Sequence, residues 1–197
     1  FTREGVYYQF LRKIDRDISN PDLPFQMPYE PYELKPDSFQ QLVLKASFVG
    51  ANPDPIISGK EPMEYKCNYF IGNVPDKWHT DVPNYQAVQF KEIYPGIDLK
   101  YYGNGKQMEY DFIISPGTDY TQIQIKYEGT RSLSVNSSGE LVVKTDWGDV
   151  IERKPVIYQM DSGKRQKIEG KYKITGDNTF SFKLDDGYNP NLQLIID

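Results

Sequence analysis

Tyr94-Pro95-Gly96-Ile97-Asp98-Leu99-Lys100-Tyr101-Tyr102, then Gly103-Asn104-Gly105, then Gln107-Met108-Glu109-Tyr110-Asp111-Phe112-Ile113-Ile114, sets the fold class of this chain. Pro95-Gly96 fits the two central positions of a type II turn, where Pro pre-sets φ and Gly accepts φ > 0. From that turn Ile97, Leu99 and Tyr101 leave on one side, and Asp98, Lys100 and Tyr102 on the other. Alternation with period two marks a half-buried strand. Gly103-Asn104-Gly105 reverses the chain, and Met108, Tyr110, Phe112 and Ile114 then alternate with Gln107, Glu109 and Asp111. The stretch is a β-hairpin, and nothing in it reads as an active site.

The same chemistry extends in both directions. Strands are expected over Val6 to Lys13, from Gln40 through Val49, and over Gln86 to Ile93. Further ones are expected around Ile123 to Tyr127, at Leu133 with Val135, and at Leu141 with Val143. The chain then continues through Val156 to Met160, Gln166 to Ile174 and Phe180 to Leu184, with a closing strand near Leu194. Turn residues recur roughly every eight to twelve positions, which is the signature of an all-β sandwich or barrel. No capped apolar stripe with a 3.6-residue period is present, and at most a short helical turn fits Thr118 to Gln122. The expected fold is an all-β antiparallel β-sandwich, with essentially no α-helix, over residues 1–197. It is either one sandwich or two packed β subdomains divided near 115–121. Residues 19–38 carry Pro21, Pro24, Pro28, Pro31 and Pro36, which forbid a helix and remove ladder donors. That segment is expected to be an irregular crossover pinned by Phe25, Tyr29 and Tyr32.

Charge narrows the partners. Lys and Arg number 23 against 28 Asp and Glu, a net charge of −5. A nucleic-acid backbone demands clustered positive charge, so nucleic acid is not the expected partner. The basic group Lys164, Arg165 and Lys167 reads as a solvated edge beside a turn. No apolar run approaches the roughly 20 residues that cross a bilayer as a helix, so no transmembrane segment is expected. The single Cys67 has no partner for an internal disulfide and reads as a small buried apolar residue. Phe1 is no initiator Met and no signal peptide precedes it, so the chain is expected to be a processed or excised piece.

Catalytic constellations find little support. Glu109 and Asp111 lie two apart on one strand and share a face, the hardware of a glycosidase if properly spaced. They also occupy the polar side of an amphipathic strand, where solvated charges are ordinary. Asp185-Asp186-Gly187 with Asn189 lacks the ligand spacing and distal Glu of a calcium loop. One His, His79, and one Cys cannot make a zinc site, and no nucleophile elbow or phosphate-cradling Gly-rich loop occurs. The expectation is a non-enzyme without metal or cofactor. The aromatics carry more weight, with 16 Tyr, 10 Phe and 2 Trp. Flat rings with a polar edge suit sugars, peptides or a partner domain. Trp78, Tyr85, Tyr102 and Trp147 are the candidate ligand contacts, the two Trp because they sit in turn-like, polar surroundings. On a carbohydrate-binding reading, such rings on a sandwich face stack on sugars.

Several motifs carry a resemblance. They are Phe48-Val49-Gly50-Ala51-Asn52-Pro53, Tyr69-Phe70-Ile71-Gly72-Asn73, Val82 to Tyr85, and Tyr94 to Gly103. Glu109-Tyr110-Asp111-Phe112, Pro116-Gly117-Thr118-Asp119 and Arg153-Lys154-Pro155-Val156-Ile157-Tyr158-Gln159 extend it. Together they resemble a bacterial domain of unassigned biochemistry, found at the amino-terminal end of large cell-surface proteins ahead of SBBP-type β-propeller repeats. The resemblance implies an exported, extracellular or cell-surface module and carries over no catalytic residues. Its partners would be the downstream repeat domains of the same polypeptide, with envelope proteins or glycans as further contacts. Trp78 and Tyr102 match framework positions of that pattern.

Overall fold

A computed structural model of the protein describes residues 1–14, 38–105, 107–185 and 187–197. The proline-rich crossover expected over 19–38 lies, except for Ser38, outside the described residues. Among them the strands follow in the order β1 (Val6–Lys13), β2 (Phe39–Phe48), β3 (Ile56–Tyr69), β4 (His79–Tyr94), β5 (Ile97–Asn104), β6 (Gln107–Ile114), β7 (Ile125–Glu128) and β8 (Ser132–Val135). They continue as β9 (Leu141–Thr145), β10 (Gly148–Glu152), β11 (Ile157–Asp161), β12 (Lys164–Ile168), β13 (Gly170–Gly176), β14 (Thr179–Leu184) and β15 (Leu194–Ile196). The only helical pieces described are two 3-10 turns, Pro75–Lys77 and Tyr120–Gln122. The second falls where a helical turn fits the sequence, capped by the Asp119 carboxylate accepting from the Thr121 amide at 2.9 Å.

All ladders among the described residues are antiparallel. A seven-stranded sheet runs β12-β11-β15-β6-β5-β4-β3, a five-stranded sheet runs β1-β2-β7-β14-β13, and a three-stranded sheet runs β10-β9-β8. The two larger sheets pack face to face in a sandwich-like arrangement. Phe112 of β6 meets Phe48 of β2 at a ring separation of 6.4 Å and Phe182 of β14 at 6.0 Å. The small sheet adds Leu141 and Val143 to the same core cluster, which also takes residues from both sides of Ser115-Pro116-Gly117.

The β5–β6 hairpin forms with the expected alternation, except that Met108, expected on the apolar face, is 55% exposed near the turn. Ile97, Leu99, Tyr101, Phe112 and Ile114 are buried, and Tyr101 pairs with Tyr110 in the ladder. Gly96 holds φ 74°, and a Cβ there would overlap Thr118 Oγ1, so the turn wants glycine for both conformation and space. Tyr94 is 2% exposed and bonds Gln124 through its hydroxyl, donating at 2.9 Å and accepting at 3.2 Å. That bond pair ties the hairpin to the strand that starts β7.

Three elements differ from the sequence reading. The stretch read as one strand over Gln166 to Ile174 divides at Glu169 into β12 and β13, which enter different sheets. Gly170 permits the division, since a Cβ there would stand 2.5 Å from Ile157 Cδ1 and 3.0 Å from the Lys183 carbonyl. Strand β10 follows the Trp147 turn directly, where no strand was expected. Residues 56–94 form one long β3–β4 ribbon, although the sequence placed no strand over 56–69 and began the next at Gln86. Cys67 sits on that ribbon, half-buried, rather than in the core. Its sulfur receives the Asn84 side-chain amide at 3.3 Å.

Candidate functional site

Two features stand apart from plain core and plain surface. The first is built around Glu152. The ladder pairs Glu152 with Leu141 and Val150 with Val143, so period two sends the carboxylate to the apolar face of its small sheet. Tyr110 of β6 donates to Glu152 Oε2 at 2.8 Å, and Tyr127 of β7 donates to Oε1. One carboxylate therefore joins the seven-stranded sheet to the five-stranded sheet. Tyr172 donates to the Arg153 carbonyl at 2.9 Å, and Tyr8 lies 3.5 Å from the Tyr101 hydroxyl. Each inward tyrosine thus finds a partner, as burial of a phenol requires.

Electrostatics follow from that enclosure. Glu152 is half-buried and lines a cavity. Burial pushes its carboxyl above the ordinary glutamate range, and the bonds from Tyr127 and Tyr110 hold it back. Burial likewise raises Tyr8, to about 12. Tyr101, Tyr110, Tyr127 and Tyr172 are raised in the same way, each also by the nearby Glu152 charge. The cavity, about 590 Å³, is walled by Tyr8, Tyr110, Tyr127 and Tyr172 with Leu44 and Val143, and Arg153, Lys154, Glu109 and Asp197 stand around it.

The second feature is the distal ribbon. Beyond Ala87, which pairs with Tyr102, β4 leaves β5 and, among the described residues, pairs only with β3. No residue from Lys60 to Gln86 is fully buried. At about 3.3 Å per residue, the free part of β3 extends roughly 30 Å. Its end carries Phe70 (60% exposed) and Ile71 (76%) beside Trp78 (39%). Phe70 and Trp78 meet edge to face at 5.3 Å, and the Trp78 indole donates to the Gly72 carbonyl at 3.2 Å. The outer edge of β3 is interrupted by Pro62 and by Glu61, whose φ is 55°. Both are devices that discourage another strand from pairing there. What the ribbon offers is its side chains, not its backbone.

The four ligand contacts expected from sequence do not gather. Trp78 is at the ribbon tip. Tyr85 is 45% exposed on the ribbon, its ring lying where a Gly59 Cβ would stand. Tyr102 faces outward from β5, donates to Asp111 at 3.1 Å and has Lys100 5.6 Å above its ring. Trp147, in the β9–β10 turn, is covered by the Arg12 guanidinium at 4.6 Å. Among the described residues no two of these four rings are in contact. Glu109 and Asp111 stand on the outer face of β6, bonded to Asn104 at 3.0 Å and Tyr102 respectively. Burial, with Asp197 and Glu109 nearby, raises the Asp111 carboxyl. Among the described residues no group of three or more His, Cys, Asp or Glu is placed to hold a metal. The basic group on β12 lies at a sheet edge, with Arg165 3.6 Å over the Tyr158 ring and Lys167 bridged to Glu169 at 2.6 Å.

Sequence reasoning passed over Glu152. A signal existed, because Tyr101, Tyr110 and Tyr127 all lie on the apolar faces of their strands, and buried phenols need acceptors. The fold and these features define an all-β, sandwich-like domain of antiparallel sheets. Residues 1–197 match the family described as Domain of unknown function (DUF7948), and the chain belongs to that family. No curated protein and no solved structure matches it. No helix among the described residues is long and apolar enough to cross a membrane.

Proposed function

We propose that this domain is a non-catalytic interaction module of an exported bacterial cell-surface protein, standing ahead of repeat domains of the same polypeptide. The observation that carries the reading is the β3–β4 ribbon. An isolated two-stranded hairpin is marginal in water, and an arm ending in exposed Phe70, Ile71 and Trp78 leaves apolar area that a neighbouring domain would cover. The position ahead of repeats and the surface location rest on the motif resemblance alone. A carbohydrate-binding module has less support, since Trp78, Tyr85, Tyr102 and Trp147 form no shared platform.

Joint substitution Phe70→Ser, Ile71→Ser and Trp78→Ser tests the contact element. None of the three belongs to the core cluster, so the isolated domain should melt within about 4 °C of wild type. Calorimetric association with the separately purified remainder of the polypeptide should weaken at least tenfold. Unchanged association, or collapse of the fold, would assign the ribbon a different role.

A further inference from the structure

We propose that the tyrosine-walled cavity over Glu152 is a binding site for a small alkylammonium ion. The inference stands on the cavity alone and does not depend on the ribbon.

Size comes first. A space of about 590 Å³ lies within the range of small-molecule sites and exceeds any ordinary packing defect. Its walls come from separate elements: Tyr8 from β1, Tyr110 from β6, Tyr127 from β7 and Tyr172 from β13. Tyr8 and Tyr110 are half-buried beside this space, Tyr127 (5% exposed) and Tyr172 (7%) almost fully buried behind its lining, and aromatic rings attract a cation through their quadrupoles. Glu152 adds a carboxylate in their midst, fixed by Tyr110 and Tyr127. Two cations line the rim, Arg153 and Lys154, and Lys154 Nζ is drawn to Glu169 at 3.5 Å.

The hydrogen-bond inventory then selects among ligands. A sugar or a peptide amide needs free donors and acceptors aimed into its site. Here the hydroxyls of Tyr8, Tyr110, Tyr127 and Tyr172 all have protein partners. Among the described residues no buried side-chain nitrogen or oxygen lacks one. The polar groups left are at the rim, Gln107, Glu109, Arg153, Lys154 and Asp197, so a positively charged ligand that asks for no hydrogen bonds fits the inner walls. That describes a quaternary or heavily alkylated ammonium group, whose methyls rest on ring faces while its charge is balanced by Glu152.

Titration calorimetry with choline, beside its neutral isostere 3,3-dimethyl-1-butanol and methyl β-D-glucopyranoside, tests the assignment. Choline should bind saturably, and the isostere at least tenfold more weakly. Glu152→Gln keeps an acceptor for tyrosine and should lose at least tenfold in choline affinity while leaving the isostere unchanged. Tyr8→Leu removes one ring face at the half-buried first strand and should weaken choline several-fold. Each variant is checked for a cooperative melt before titration. Equal binding of choline and the isostere would reduce the cavity to an apolar hole. Binding of the glucoside instead, no binding by choline, or an unchanged choline affinity in folded Glu152→Gln would each overturn the proposal.

Discussion

Glu152→Ala is expected to lower the unfolding free energy by about 2–6 kcal/mol, because it strips the acceptor from two inward tyrosine hydroxyls at once. Each orphaned buried donor costs roughly 1–3 kcal/mol, and the side chain leaves added empty space beside the existing cavity. Glu152→Gln is the informative companion. Its carbonyl oxygen accepts from one tyrosine and its amide donates to the other, so the loss should stay under about 1.5 kcal/mol. Urea unfolding at several pH values then isolates the charge. Because burial raises the folded-state value, the stability linked to Glu152 is fully present below its ordinary value near pH 4.5 and is lost as pH rises through the folded value. Asp111 and Asp197, also raised, act in the same sense in both proteins and cancel in the comparison. The stability of wild type relative to Glu152→Gln should therefore fall as pH rises from 4 toward 8. A constant difference would mean that Glu152 titrates alike folded and unfolded.

Phe112→Ala should be comparably severe, at about 3–5 kcal/mol. Phe112 is 0% exposed and meets Phe48, Tyr110 and Phe182, so its ring fills space between the two larger sheets. Neighbouring strands cannot close on that volume without moving a ladder. Thermal unfolding monitored by near-ultraviolet circular dichroism reads the effect, and a loss below about 1 kcal/mol would mean the sheets are not held together through this ring. Phe112→Leu, which keeps most of the volume, should recover part of the loss.

What the sequence made legible follows from one condition, a strand with one face in the core. The β5–β6 hairpin holds its predicted alternation because burial on one side imposes period two on its residues. β1 spans Val6–Lys13 as read, although only Val6 is buried and Tyr8 half-buried there. The distal ribbon escapes the same test. Both its faces meet solvent, so Met63, Tyr65 and Cys67 sit among Glu64, Lys66 and Asn68 without any side being required to stay apolar. The division between β12 and β13 is equally silent, since the contact that demands Gly170 comes from Ile157 and Lys183, remote in sequence. For the site, the excess of tyrosine was visible and its location was not. The tryptophans stand out in the sequence because they sit in turns, yet the organised aromatics are inward tyrosines, gathered by a glutamate whose register depends on pairing with Leu141. A charged residue at an inward position is the local rule broken here, and such breaks are where function is sought.

The measurement that bears most directly on the interaction-module reading is amide hydrogen exchange across residues 60–86, in the domain alone and in the full-length protein. Exchange protection in that ribbon of the isolated domain should be low, because its backbone bonds lie in a two-stranded arm with no buried residue. In the full-length protein the account predicts at least tenfold slower exchange there, with the β5–β6 hairpin unchanged. Equal exchange in both would leave the ribbon uncovered and contradict the claim that it is the domain's contact with its neighbours.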